Sequence, residues 1–268
     1  MADGVSSPKD RFITVYGRKP VLEVLDDTGL AVDKVVIADT ARGDTAREIR
    51  RAAGRRGIAV HTASAHRVKV LAGNGKQDQG VLADVVAPRM RPLAAALTGE
   101  DAPRRVLLLD GITTQANVGM ILRTATAAGI DGIVVPRKGV ASLDPLVVKA
   151  SAGGGFRAPV LRCATAAAAA EELLGAGYPL YALHSAADHS LFDTPVDAPA
   201  AFVLGSESGG IGSDVHELIS GWLSIPMAGG VESLNVSAAA AVLCFELARR
   251  DHHGFAAAAP GGAGSPVW

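Results

Sequence analysis

Aromatic side chains are scarce in this sequence, and cysteine is almost absent. Phenylalanine, tyrosine and tryptophan make up 4% of the 268 residues, so we expect a core of aliphatic side chains with close helix–sheet contacts. The two cysteines, Cys163 and Cys244, have neither the spacing of metal ligands nor that of a disulfide framework. We therefore expect no metal site. No apolar run reaches the roughly 20 residues of a membrane span, and residues 1–10 lack the apolar region of a signal peptide, so we expect a cytoplasmic protein.

The net charge of −1 also excludes a globally basic nucleic-acid binder, but the charge is unevenly distributed. Residues 1–100 hold 16 basic and 12 acidic side chains, and residues 101–268 hold 10 and 15. Most of the basic excess lies in one short segment. Taken alone, this segment favours a solvated helix face with Asp44 and Glu48 as ion-pair partners, although such clusters also bind RNA phosphates. Its arginines are Arg42, Arg47, Arg50, Arg51, Arg55 and Arg56.

Strand and helix patterns alternate along the chain and fall into two α/β units. The segment Arg105–Asp110 is continuously apolar between its two charged end residues, as buried strands of parallel sheets are. We therefore predict a parallel sheet in the second unit. The predicted boundaries are 12–88 for the first unit, 89–104 for a linker with one short helix, 105–252 for the second unit and 253–268 for a flexible tail.

A first motif, Asp110–Gly129, follows the predicted buried strand of the second unit. Asn117 lies where it can cap a helix, and Arg123 lies six residues later among small and apolar residues. From the residues alone, Asn117 is only a helix cap worth about 1 kcal/mol, and Arg123 extends to the surface along its aliphatic stem.

A second motif, Phe202–Gly212, is a predicted buried strand that opens into a loop with glycines that let the backbone approach a ligand. Glu207 stands where a dinucleotide-binding loop has its second glycine, and no Gly-x-x-x-x-Gly-Lys-Ser/Thr sequence occurs. A carboxylate at this position repels a pyrophosphate but suits a cationic or hydroxyl-bearing partner. These features argue against an oxidoreductase that uses a dinucleotide and exclude P-loop chemistry.

A third motif, Ile225–Ser237, reads as a strand, a glycine turn and the start of an apolar helix. Ser233 and Asn235 lie at the turn, where a helix N-terminus exposes unpaired backbone N–H groups. The simplest structural interpretation makes Ser233 a helix cap. Two polar side chains at one turn instead favour a ligand site.

In their order and approximate spacing, the three motifs resemble those of the SpoU/TrmH family, the RNA ribose 2'-O-methyltransferases of the SPOUT superfamily. Ala116 departs from the proline that many members have before the asparagine. The first unit, with Val15-Tyr16-Gly17 near its start and Gln79-Gly80-Val81 near its end, resembles the family's N-terminal substrate-binding domain. That domain is similar to certain ribosomal proteins and binds RNA, which strengthens the assignment of the six arginines to RNA binding.

The resemblance implies an α/β fold with a SPOUT domain, in which helices cover both faces of a parallel sheet and the chain is threaded into a trefoil knot. It also implies a homodimer that completes the site and S-adenosylmethionine as the cofactor. The residues implied to bind the cofactor are Leu204, Gly205, Ile225, Met227, Ser233 and Leu234. Those implied to act in catalysis are Asn117, Arg123, Glu207, Ser233 and Asn235.

The role that we favour for Arg123 is to bind the RNA phosphate and to stabilise the developing 2'-alkoxide. A guanidinium with a pKa above about 12 is a poor general base, so the group that takes the proton stays open. The sequence looks most similar to the 23S rRNA guanosine 2'-O-methyltransferases, some relatives of which give antibiotic resistance. Alternatives are a tRNA 2'-O-methyltransferase and a non-catalytic RNA-binding or ribosome-assembly factor, although the second predicts a broken motif.

Overall fold

The structure is a computed structural model that describes residues 11–73 and 78–251. The predicted flexible tail, 253–268, lies outside the described residues. Within them, no helix combines the length and the apolar character needed to cross a membrane.

The first unit is a four-stranded sheet with helices on both faces. Its strand order is β1-β4-β2-β3, in which β4 runs antiparallel to both neighbours and β2 runs parallel to β3. Helices α1 and α2 pack on one face through Leu25 and Ile49, whereas α3 packs on the other through Val68. The elements are β1 (Phe12–Tyr16), α1 (Arg18–Asp26), β2 (Val32–Ala38), α2 (Asp44–Arg55), β3 (Ala59–Ala63), α3 (Ala65–Ala72) and β4 (Val81–Val86).

The second unit is built on a seven-stranded sheet in which every neighbouring pair is parallel. Its strand order is β11-β9-β10-β6-β7-β8-β5. The predicted parallel sheet is therefore confirmed. The strands are β5 (Arg91–Pro92), β6 (Arg105–Leu109), β7 (Gly132–Pro136), β8 (Val160–Cys163), β9 (Leu180–Leu183), β10 (Ala200–Leu204) and β11 (Gly221–Leu223).

Helices cover both faces of this sheet, as predicted. Alternate side chains of β6 point to opposite faces: Leu107 and Leu109 pack in the core with α5 and α9, whereas Val106 and Leu108 pack in the core with α4 and α7. The helices are α4 (Leu93–Leu97), α5 (Gln115–Ala127), α6 (Pro145–Ala150), α7 (Ala166–Gly175), α8 (Ser213–His216) and α9 (Val236–Asp251).

The segment predicted as a linker contributes to the second sheet. Its two-residue strand β5 pairs with β8, and α4 follows directly and is buried through Leu93 and Ala96. This segment thus holds an edge strand and a helix as well as connecting the two units.

The parallel arrangement decides where a ligand can bind. The carboxyl ends of parallel strands meet at one edge of the sheet, and ligands of open α/β sheets bind outside that edge. The loops that begin at Asp110, His184, Gly205 and Ser224 all leave the sheet there, after β6, β9, β10 and β11.

The final helix is fixed to the loop after β9 by an ion-pair cluster around Glu246, whose side chain is buried. Its carboxylate accepts hydrogen bonds from Arg249 Nε at 2.8 Å and from Arg250 Nε at 2.7 Å. Arg250 also donates to the carbonyl oxygens of Leu191 and Thr194 in the loop after β9. The hydrogen bond from Arg249 is the largest cause that lowers the pKa of Glu246 to about 2, and Arg250 adds to it.

We expect the contribution of Glu246 to stability to depend on pH. Because its folded-state pKa lies below the ordinary value of about 4.3, the stabilisation is fully present above that value and is lost as the pH falls towards 2. At pH 7 the free energy of unfolding of Glu246→Gln should be lower than that of the wild type. The difference should shrink between about pH 5 and about pH 2. Urea unfolding across this range measures it, with the exposed Glu171→Gln as control, and a pH-independent difference would contradict the assignment.

Candidate functional site

A cavity of about 500 Å³ lies at the carboxyl edge of the seven-stranded sheet. Its volume falls within the range of about 300–1,000 Å³ typical of small-molecule sites. The walls come from the loops after β9, β10 and β11 and from the first turn of α9. All six residues predicted to bind a cofactor line the cavity: Leu204, Gly205, Ile225, Met227, Ser233 and Leu234.

The loop after β10 forms one wall and is closed on itself. Ser206 and Gly210 exchange backbone hydrogen bonds of 2.8 and 2.9 Å. A Cβ atom at Gly205 would lie 2.5 Å from the carbonyl carbon of Gly210, so only glycine fits there. Asp110, at the end of β6, accepts a 2.7 Å hydrogen bond from the backbone N–H of Gly212. The loop is therefore held at both its centre and its end.

Three side chains from the three sequence motifs meet beside the cavity. Glu207 Oε1 accepts hydrogen bonds from the side-chain amide of Asn235 and, at 3.4 Å, from the backbone N–H of Val236. The same amide nitrogen of Asn235 donates to Asn117 Oδ1 at 3.2 Å. The carboxylate also lies at the N-terminus of α9, where negative charge is favourable. The cluster of Asn117, Glu207 and Asn235 thus joins α5, the glycine loop and α9.

The structure contradicts the helix-cap interpretation of both Asn117 and Ser233. Asn117 lies in the first turn of α5, which begins at Gln115 with Thr114 in the cap position, and its side chain is buried. Ser233 does not cap α9. Asn235 does, because its Oδ1 accepts hydrogen bonds from Ser237 N at 2.9 Å and from Ser237 Oγ at 2.5 Å. Ser233 instead lines the cavity.

Arg123 lies apart from the cavity, fewer than two turns beyond Asn117 on α5. Its side chain is exposed, and it forms no hydrogen bond or ion pair with any residue of 11–73 and 78–251. The structure therefore brings Asn117, Glu207, Ser233 and Asn235 to the cavity and its border but leaves Arg123 on the surface. A guanidinium that is free of internal partners is available to an external anion.

Five of the six predicted RNA-binding arginines are exposed. Four of them lie on the solvent-facing side of α2, opposite the buried Ile49. Arg47 pairs with Asp44, whereas Glu48 forms no ion pair among the described residues. The exposed arginines are Arg42, Arg47, Arg50, Arg51 and Arg55.

Arg56 requires a correction to the predicted set. Its Nη1 donates to the carbonyl oxygens of Val24 and Leu25, both at 3.1 Å, and of Asp27 at 3.0 Å. Its Nη2 donates to the carbonyl oxygen of Leu30. Because these carbonyls lie at and beyond the C-terminal end of α1, Arg56 stabilises that helix end and is not placed to grip RNA.

Several residues that line the cavity were not predicted from the sequence. His184, Trp222 and Ile211 line the cavity beside the predicted residues. His184 follows β9 directly and Trp222 lies within β11. The rule that strand carboxyl ends meet at one edge would have identified His184, because it follows a predicted strand.

Among the described residues, the cysteines and acidic side chains form neither a reactive thiol site nor a metal site. Burial raises the pKa of Cys163 to about 11 and that of Cys244 to about 12, so neither thiol is readily ionised at neutral pH. Within residues 11–73 and 78–251, no group of three or more His, Cys, Asp and Glu side chains is arranged to hold a metal ion.

The arrangement suits a ligand of nucleoside size that carries positive charge. Leu204, Ile225 and Leu234 give apolar surface, and the glycine loop allows close approach to the backbone. The carboxylate of Glu207 supplies negative charge to the cavity lining. These properties fit the cofactor expected from the sequence.

Comparison with protein families gives two matches that together cover most of the chain. A family described as "SpoU rRNA Methylase family" matches residues 104–245. A second, described as "RNA 2'-O ribose methyltransferase substrate binding", matches residues 14–91.

Curated relatives extend over nearly the whole chain. One from Staphylococcus saprophyticus, named "Putative TrmH family tRNA/rRNA methyltransferase", is 32% identical over 247 residues, which cover 90% of this chain and 97% of the relative. The 23S rRNA (guanosine-2'-O-)-methyltransferase RlmB of Xanthomonas campestris is 31% identical over 239 residues, 88% of this chain and 96% of the relative.

Solved structures share the architecture. A TrmH-family structure from Porphyromonas gingivalis, titled "putative RNA methyltransferase", is 29% identical with a TM-score of 0.61 and covers 90% of this chain and 91% of its own. The SpoU methyltransferase AviRb from Streptomyces viridochromogenes, solved with AdoMet, is 24% identical with a TM-score of 0.59 and covers 91% and 92%. At that identity AviRb supports the fold alone.

We expect Gly205→Ala to abolish binding of S-adenosylmethionine while the protein stays folded. The added Cβ would meet the backbone of Gly210 at 2.5 Å and push the loop into or away from the cavity. Trp222 lines the cavity, so its fluorescence should report binding in the wild type. Gly175→Ala is the matched control, because a Cβ there meets nothing within 4 Å. Wild-type affinity in Gly205→Ala would refute the placement of the cofactor.

Proposed function

The chain belongs to the SpoU rRNA methylase family of RNA 2'-O-ribose methyltransferases, and on that premise we propose that it methylates a ribose 2'-hydroxyl of 23S ribosomal RNA with S-adenosylmethionine as methyl donor. This proposal rests on the cluster of Asn117, Glu207 and Asn235, which lies on the border of a cavity of cofactor size. The cluster takes one residue from each of the three motifs, which supports an enzyme over a non-catalytic RNA-binding factor.

The cavity residues fit the cofactor. Gly205 permits close backbone approach, and Leu204, Ile225 and Leu234 offer apolar surface for the adenosine part. Glu207 offers its carboxylate to the positive charge of the methionine part. When bound, S-adenosylmethionine supplies an electrophilic methyl group on a sulfonium.

The protein must align the RNA hydroxyl and favour loss of its proton. Asn235 is held in one orientation because its amide nitrogen donates to Glu207 and Asn117 while its amide oxygen accepts from Ser237. A side chain fixed in this way holds Glu207 and Asn117 in place, so that these two groups are already oriented when the cofactor and the ribose bind. Arg123, free of partners within the described chain, grips the RNA phosphate and stabilises the developing alkoxide.

We further propose that the protein acts as a homodimer in the cytoplasm and that the second unit is knotted, as the family resemblance implies. Met120 and Phe245 are 39% and 46% exposed on the adjoining helices α5 and α9. Ser237 Oγ lies 3.8 Å from Met120 Sδ, and Arg123 follows Met120 by about one turn. A second copy seated on this apolar face would lie directly beside Arg123.

The choice of 23S rRNA rests on the relative from Xanthomonas campestris, which matches both units and is named for that substrate. The rival substrate is tRNA, because the relative from Staphylococcus saprophyticus is named for either RNA. Methyl transfer from radiolabelled S-adenosylmethionine to 23S rRNA and to total tRNA separates the two. Label in tRNA alone would overturn the substrate assignment, and label in neither RNA would overturn the enzymatic proposal.

We expect Arg123→Ala to abolish methyl transfer in the same assay. Arg123 contributes no contact to the cavity, so the Kd of S-adenosylmethionine should stay within about three-fold of the wild-type value. Arg123→Lys keeps the charge but not the planar fork and should regain only part of the rate. Near-wild-type turnover of Arg123→Ala would remove Arg123 from the reaction.

We also expect RNA affinity to depend on the exposed arginines of α2. The triple variant Arg50→Glu, Arg51→Glu and Arg55→Glu should bind RNA more weakly, and its log–log salt dependence should fall by about one unit for each RNA phosphate that the variant no longer binds. The Kd of S-adenosylmethionine should not change. Glutamates at Arg11, Arg89 and Arg104 give a control of equal charge. Equal weakening by both variants would indicate a general effect of net charge instead of a contact surface.

A further inference from the structure

The helix that carries Arg123 is packed unusually closely against the segment that follows β7. Gly119, one turn before Arg123, faces α6. A Cβ atom at Gly119 would lie 2.5 Å from Ala150 Cβ and 2.6 Å from the carbonyl oxygen of Val147. The two helices therefore meet backbone to backbone, and the end of α6 is fixed relative to α5.

The chain leaves α6 through a tight turn that a buried hydroxyl holds together. Ser151 is 1% exposed. Its Oγ donates to the carbonyl oxygen of Val148 at 2.7 Å and accepts from the backbone N–H of Gly155 at 2.9 Å. Between them Ala152 has φ +49°, a left-handed conformation that non-glycine residues rarely adopt. The hydroxyl of Ser151 thus offsets a strained backbone.

This turn reaches the base of the Arg123 side chain. A Cβ atom at Gly154 would lie 3.6 Å from Arg123 Cα and 3.9 Å from Arg123 Cβ. The guanidinium itself has no partner within the described residues. Gly154 lies against Cα and Cβ of Arg123, where close packing restricts the rotamers that the side chain can adopt.

We propose that Ser151 is a positioning residue for Arg123: its hydroxyl holds the turn against α5, and the turn directs the guanidinium towards the bound RNA. The inference rests on the role proposed above for Arg123. Removal of the hydroxyl releases the turn, so that Arg123 samples more orientations and aligns the RNA less often. The cofactor cavity is untouched, because neither Ser151 nor the turn lines it.

The test compares Ser151→Ala with Thr126→Ala. Thr126 is a matched control because it also donates a hydrogen bond from a side-chain hydroxyl to a backbone carbonyl. Its Oγ1 donates to the carbonyl oxygen of Leu122 at 2.6 Å. Both Thr126 and Leu122 lie on α5, away from the turn that contains Ser151. Ser151→Ala should lower kcat about ten-fold, whereas Thr126→Ala should change it by less than about two-fold. In both variants the Kd of S-adenosylmethionine, read from Trp222 fluorescence, should equal that of the wild type. Wild-type kcat in Ser151→Ala would overturn the inference.

A double-mutant cycle separates positioning of Arg123 from a general structural role. In an Arg123→Ala background, whose residual rate is followed with radiolabelled cofactor under single-turnover conditions, Ser151→Ala should change the rate by less than about two-fold. An equal reduction in both backgrounds would mean that the hydroxyl acts without Arg123, which contradicts the inference. A wild-type protein that methylates no RNA would instead overturn the proposed function.

A second pair of variants decides the question if Ser151→Ala does not fold. Gly154 has an ordinary backbone conformation, and a Cβ there meets Arg123 at normal contact distance. Gly154→Ala should therefore keep wild-type kcat, whereas the larger side chain of Gly154→Leu should displace Arg123 and lower kcat with unchanged cofactor affinity. Wild-type turnover of Gly154→Leu would show that the turn does not direct Arg123.

Discussion

The carboxylate of Glu207 accepts hydrogen bonds from the side chain of Asn235 and from the backbone of Val236 at the start of α9. Asn235 in turn donates to Asn117 on α5. This set of contacts joins three segments that are far apart in the sequence and fixes the border of the cavity. The charge of the carboxylate is balanced by the N-terminus of α9. Glu207 thus supplies a polar contact between the loop after β10 and the first turn of α9.

The parallel sheet makes this meeting possible. Because β6, β9, β10 and β11 run in the same direction, their carboxyl ends deliver four loops to one edge. The cavity is therefore a property of the second unit alone. The first unit supplies a separate surface of exposed arginines, and Arg123 is exposed on α5, apart from the cavity. We therefore propose that the methyl donor and the RNA are bound by different parts of the chain and that Arg123 acts on the RNA close to the methyl donor.

Much of the second unit could be predicted from the sequence because its signals are local. A continuous apolar run predicted β6, and the glycines with Glu207 predicted a ligand loop after β10. The strand β5 could not be predicted, since two residues become a strand only through pairing with β8. The role of Arg56 was equally hidden, because its carbonyl partners lie 26 to 32 residues earlier in the chain. Asn117 and Ser233 have side chains that can cap a helix, but α5 begins two residues before Asn117 and α9 begins three residues after Ser233, so neither residue lies at the cap position.

We propose that the chain methylates a ribose 2'-hydroxyl of ribosomal RNA. Mapping 2'-O-methyl groups in total RNA from cells with and without the gene tests it most directly. We predict that one 23S rRNA nucleotide loses its methyl group when the gene is absent and regains it when the wild-type gene is restored. An unchanged pattern of 2'-O-methylation across all RNA would contradict the account.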